Sequence, residues 1–151
     1  MIKNMIATFN SILLIIAIAL ILVHYFLDKP GYDFESPISF ELKPGETIKI
    51  PTGIRAVIDE NWVLKIYSRS SLGFKYRLWL DNLTGIIDSD YSNSDNEGHI
   101  FIKVTNNSLE DKIVSINRGD KFAQGIFVQY GTVIDDDVVE ERNGGFESTN
   151  K

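Results

Sequence analysis

The sequence predicts a mostly-β domain, a sandwich or barrel of short strands, preceded by a hydrophobic helix. Three observations carry this reading. Short runs alternate apolar and polar residues, turn-forming residues separate those runs at regular intervals, and no long amphipathic helical period follows Pro30. A chain of 151 residues suits one domain with an appendage. With 44% hydrophobic and 24% charged residues, most of it can fold around a core.

The first element stands apart from the rest. From Met5 to Leu27 no residue carries a formal charge, and Ile12 to Val23 is aliphatic throughout. A run of about 20 apolar residues is long enough to cross a bilayer as a helix. His24-Tyr25-Phe26-Leu27 offers no small-residue cleavage site, so the segment reads as an uncleaved anchor rather than a removable signal. A buried helix, or a segment joined to the gene by recombination, accounts for the same run. Lys3 weakly favours a cytoplasmic N-terminus. The expected organisation is residues 1–29 as the hydrophobic segment, 30–141 as the β domain and 142–151 as a flexible glycine-rich arm.

After Pro30 the strands follow in order. Ile38, Phe40 and Leu42 alternate with polar residues until Lys43-Pro44-Gly45-Glu46 turns the chain. Ile48 and Ile50 alternate next and end at Pro51-Thr52-Gly53. Ile54 to Ile58 and Trp62 to Tyr67 flank an Asp59-Glu60-Asn61 turn. Later come Ile100 to Val104, Ile113 to Ile116 and Phe122 to Tyr130, with Asn117-Arg118-Gly119-Asp120 turning between the last two.

The net charge is −6, so there is no basic field for wrapping nucleic acid. A phosphate-rich ligand would need cations gathered locally or a metal ion. With no cysteine, disulfides, thiolate metal sites and a Cys nucleophile are excluded. Asp135-Asp136-Asp137 and Glu140-Glu141 read as a solvated acidic face, and His99, alone in a strand, as structural.

Three stretches hold more polar and glycine content than a packed β core requires. Ser68-Arg69-Ser70-Ser71-Leu72-Gly73 sets a planar guanidinium beside two hydroxyls, donors suited to phosphate oxygens; an ordinary loop after the strand carries the same residues. Asn82 to Tyr91 joins an amide, a glycine, carboxylates and an aromatic within ten positions, as a base-and-sugar pocket would; a strand ending in an Asp-Ser-Asp turn fits the same residues. Arg142 to Thr149 combines exposed backbone amides, hydroxyls and a phenylalanine able to stack on a base; a disordered terminus fits the same pattern equally.

Taken in order, these segments resemble the homotrimeric dUTPase family. The resemblance rests on Gly31-Tyr32-Asp33, Arg69-Ser70-Ser71-Leu72-Gly73, Gly85-Ile86-Ile87-Asp88-Ser89-Asp90-Tyr91, Gly119-Asp120-Lys121-Phe122-Ala123-Gln124 and Gly144-Gly145-Phe146-Glu147-Ser148-Thr149. It implies a β-clip or jelly-roll barrel, and hydrolysis of dUTP to dUMP and diphosphate, which limits uracil incorporation into DNA. By the family's pattern Asp88 is the general base that activates water for attack on the α-phosphorus. Arg69, Ser70, Ser71, Gln124, Arg142, Ser148 and Thr149 would bind phosphates. Asn82, Gly85, Ile86 and Ile87 would read uracil, Tyr91 would pack on the deoxyribose and exclude a 2′-hydroxyl, and Phe146 would cover the base. Asp33 would reach a Mg²⁺ cofactor through water. The resemblance also implies sites shared among three subunits, and a substrate that places the active domain in the cytoplasm.

The sequence departs from that pattern at several positions. Glu147 stands where the family has glycine, adding a negative charge near a polyanion. Ser68 replaces a proline, and Ser92 to Gly98 is a longer polar loop than usual. The hydrophobic run occupies the place of a first strand, whose loss would leave a sheet edge unpaired. These departures motivate an alternative: a catalytically degenerate relative that binds nucleotide or a protein partner. The related dCTP deaminase shares the fold, but Asp-Ser-Asp-Tyr and the Gly-Gly-Phe tail favour the diphosphatase.

Overall fold

A computed structural model describes residues 31–134. Expectations for the hydrophobic segment 5–27, for the acidic run 135–137 with Glu140 and Glu141, and for Arg142, Phe146, Glu147, Ser148 and Thr149 lie outside the described residues. Among the described residues no helix is long and apolar enough to cross a membrane.

The described chain is mostly β. Its strands are β1 (Tyr32–Glu35), β2 (Phe40–Leu42), β3 (Thr47–Arg55), β4 (Trp62–Ser68), β5 (Leu78–Leu80), β6 (Gly85–Ile87), β7 (His99–Asn106), β8 (Val114–Ile116) and β9 (Lys121–Gln129). One helix, α1 (Ser70–Tyr76), follows β4, and a 3-10 turn spans Ser89–Asn93. Three sheets form: β1-β9-β4-β6, β3-β7-β5 and the pair β2-β8. Each neighbouring pair of strands is antiparallel.

The period-two pattern is realised most clearly in β7. Ile100, Ile102 and Val104 point into the core, while Phe101, Lys103 and Thr105 face outward. Phe122, Ile50, Ile66, Leu78 and Val114 complete the densest part of the same core. Asn106 is buried among them without an unmet bond. Its Nδ2 donates to the carbonyls of Leu42 and Lys112, each at 2.8 Å, and its Oδ1 accepts from Ser108 N at 3.0 Å.

Two elements differ from the sequence reading. Pro51-Thr52-Gly53 does not end a strand; β3 runs through it, with a register irregularity between Pro51 and Arg55. Proline can sit there because a bulge relieves the ladder of its missing N–H. The stretch after Arg69 is a helix rather than a loop. Leu72 and Tyr76, four apart, pack against the core, while Phe74 is almost fully exposed. The Asn117–Asp120 turn forms as expected, Asp120 Oδ2 accepting from Asn117 N at 2.8 Å.

Candidate active site

The sheet β1-β9-β4-β6 gathers residues far apart in sequence. Asp33 of β1 lies opposite Gln124 of β9, and Gln124 in turn lies opposite Tyr67 of β4. Arg69 follows directly after β4 and caps α1 with an extended backbone. Its carbonyl accepts from the amides of Leu72 (3.1 Å) and Gly73 (2.9 Å), which fixes the start of the helix and presents Ser70 and Ser71 at the surface.

The Asp33 carboxylate holds two cations. Lys121 Nζ donates to its Oδ2 at 2.8 Å, and Arg69 Nε lies 3.5 Å from its Oδ1. All three side chains are partly exposed, so the pairs fix position more than they add stability. Gly125, beside Gln124, lets the three strands close up. A Cβ there would stand 2.9 Å from Leu64 Cδ1 and 3.1 Å from Phe34 Cε2. Asp33, Arg69 and Gln124 therefore meet at one end of the sheet, with Ser70 and Ser71 next in the chain, together with Lys121, to which the motifs give no role. Only the strand register brings Lys121 to Asp33.

The Gly85–Tyr91 stretch lies elsewhere. β6 pairs with β4 so that Gly85 faces Ile66 and Ile87 faces Leu64, and the chain then leaves towards the opposite end of β4. Asp88 thus falls level with the start of β4, about 20 Å of strand from Arg69 at ~3.3 Å per residue. Asp88 is half-buried and starts the 3-10 turn, its carbonyl accepting from Tyr91 N at 3.2 Å. The strand ending in an Asp-Ser-Asp turn is what forms. Ile86 is half exposed, and Asn82 sits exposed in the turn between β5 and β6.

Tyr91 is held on several sides. Its ring packs against the core, and its hydroxyl donates to the His99 carbonyl at 3.1 Å and accepts from Asn96 Nδ2 at 3.1 Å. His99 is structural, as expected: its Nε2 accepts from Gly53 N at 3.0 Å, and its ring packs on Phe101.

A divalent ion fits this arrangement in one way only. Mg²⁺ demands oxygen ligands, keeps several waters and is commonly held by one or two carboxylates plus substrate phosphates. Asp33 is a single, partly exposed carboxylate beside phosphate-binding residue types, which suits an ion held chiefly by a phosphate ligand. Among the described residues no cluster of three or more His, Cys, Asp or Glu side chains could cage a metal.

The sequence profile of the dUTPase family matches residues 28–149. The chain belongs to that family. It is 43% identical over 123 residues to the deoxyuridine 5′-triphosphate nucleotidohydrolase of Lactococcus lactis, covering 79% of this chain and 80% of that one. To the enzyme of the same name from Haemophilus influenzae it is 38% identical over 129 residues, covering 80% and 81%. Among solved structures, the dUTPase from Streptococcus mutans superposes with a TM-score of 0.62 at 34% identity, covering 71% of this chain and 83% of that one. A dUTPase mutant from phage phi11 of S. aureus, described with a coordinated structural Mg(II) ion, gives 0.59 at 28% identity, with coverages of 76% and 86%. The dUTPase fold of the β domain is as the motifs implied.

Proposed function

We propose that this chain hydrolyses dUTP to dUMP and diphosphate, as the names of its relatives indicate for them, and so limits uracil incorporation into DNA. The observation that carries the reading is the meeting of Asp33, Arg69 and Gln124 at one end of the sheet, where Ser70 and Ser71 follow Arg69 in the chain. These are the phosphate-binding residue types that an acidic chain needs to gather locally.

In this reading Asp88 takes a proton from the attacking water, the oxygen adds at the α-phosphorus, and diphosphate leaves. Arg69, Ser70, Ser71 and Gln124 bind the phosphate oxygens as charge develops. Mg²⁺ would neutralise part of the triphosphate charge when bound, with Asp33 reaching it through water. Asn82 and the backbone of Gly85, Ile86 and Ile87 read uracil, while Tyr91 packs on the deoxyribose. Arg142, Ser148, Thr149 and Phe146 are assigned to phosphates and base from sequence alone.

The roughly 20 Å of strand between Asp88 and Arg69 supports a homotrimer whose sites each draw on more than one chain. An anchor at residues 5–27 remains part of the proposal only in an orientation that leaves the β domain in the cytoplasm with its substrate. Coupled pyrophosphatase release of phosphate from dUTP and Mg²⁺ tests the activity. We expect steady turnover by the full chain; folded protein without turnover would leave the degenerate-relative alternative standing.

A further inference from the structure

Ser92 to Gly98, a long polar loop by its sequence, is a tightly bonded device. Ser92 and Ser94 are buried. Ser94 Oγ lies 2.7 Å from both the Tyr91 carbonyl and Asn96 Oδ1. Arg55 Nη2 donates to the Ser92 carbonyl at 2.6 Å and ties the loop to β3. Gly98 closes the base with φ +72°, its α-carbon so near that a Cβ would stand 2.7 Å from Ser92 Cα.

Asn96 sits at the centre of these bonds and uses its whole amide. Oδ1 accepts from Gly98 N at 3.1 Å and from Ser94 Oγ, while Nδ2 donates to the His99 carbonyl at 3.2 Å and to Tyr91 Oη at 3.1 Å. The phenol in turn donates to the same His99 carbonyl. Tyr91, Asn96 and His99 thus form a closed triangle of hydrogen bonds. An aromatic ring that excludes a 2′-hydroxyl by contact must be fixed to a fraction of an ångström, because a ring free to tilt would admit the extra oxygen.

We propose that Asn96 is a positioning residue for sugar discrimination, holding Tyr91 so that the site rejects ribonucleotides. The inference rests on the proposed dUTP-hydrolysing function and adds a residue to it. Asn96 acts through Tyr91 and touches no substrate itself.

The test compares kcat/KM for dUTP and UTP in the full-length protein. Asn96→Ala should reduce the preference for dUTP about fivefold, the worth of one net hydrogen bond, with the loss in KM for UTP rather than in kcat for dUTP. Asn96→Asp keeps the acceptor for Gly98 N but replaces the amide that donates to the phenol and to the His99 carbonyl with a carboxylate oxygen, so it should lose the preference as Asn96→Ala does. Tyr91→Phe keeps the ring and removes the hydroxyl, so it should reproduce the loss even if Asn96→Ala does not fold. The double variant should lose no more than Tyr91→Phe alone. An unchanged preference in Asn96→Ala or in Tyr91→Phe, or additive losses in the double variant, overturns the proposal. Wild-type protein that hydrolyses no dUTP overturns the functional reading and this inference with it; turnover with unchanged discrimination overturns the inference alone.

Discussion

The two ends of the β1-β9-β4-β6 sheet are built by different means. At the phosphate end, Asp33, Arg69, Lys121 and Gln124 come from two strands and a helix cap, and only the ladder register unites them. At the other end, every hydrogen bond described for Tyr91 comes from within eight positions of it, from the Ser94 and Asn96 side chains and to the His99 carbonyl, while its ring packs on the core. Long-range pairing sets where the cations stand, while short-range bonding sets how the ring is tilted. The first kind of site depends on the whole sheet, and the second can be altered loop by loop.

The sharpest way to break that comparison uses both ends together. Asp88→Asn should lower kcat about 10³-fold through loss of the proposed general base, and Arg69→Ala about 10²-fold through loss of a proposed transition-state donor. If the two ends serve one site from different subunits, refolding the two variants together as mixed trimers should restore about a quarter of wild-type turnover, since half of the chains carry each intact residue. Turnover no better than that of the separate variants would place both residues of each site on one chain.

A smaller effect should come from Gly98→Ala, which forces a positive φ and a close approach to Ser92 on a residue with a side chain. It should cost about 2–3 kcal/mol and lower Tm by roughly 10 °C, measured by calorimetry. Discrimination against UTP should fall as well, while the ion pairs at the phosphate end stay intact.

The smallest effect belongs outside both ends. Burial tends to raise the Asp81 carboxyl, but hydrogen bonds from Lys103 and Thr105 and the charge of Lys103 outweigh it, and the group is held below the ordinary carboxylate range. A depressed carboxyl stabilises the fold above its unfolded value, near 3.9, and that contribution is lost as pH falls through the still lower folded value. Asp81→Asn should therefore flatten the stability curve only below about pH 4, as read by urea unfolding across pH, with no change in turnover at neutral pH.

Much of the fold was legible because β7 alternates cleanly over eight residues, and β4 and β9 are apolar runs of seven and nine residues bounded by turns. β5 and β6, three residues each, are too short for a period to declare itself. α1 was hidden by its own composition, since Ser70, Ser71 and Gly73 look like a loop and no residue of it is fully buried. The site residues were named by their motifs, yet their division between two ends was not legible. Alternation says which face a residue takes, while the partner strand and its register come only from tertiary pairing. Ser68 shows the same limit: its hydroxyl accepts from Leu80 N at 3.2 Å, a bond between β4 and β5 that no local pattern announces.

The Asp33 carboxylate, finally, serves as a resident stand-in for an anion. It pairs with the Arg69 and Lys121 side chains, which orders and partly neutralises them. Long flexible cations normally surrender rotamer freedom when a ligand arrives, at about 0.5–1.5 kcal/mol for each side chain. Here part of that ordering is completed during folding, so an incoming triphosphate meets cations that are already in place.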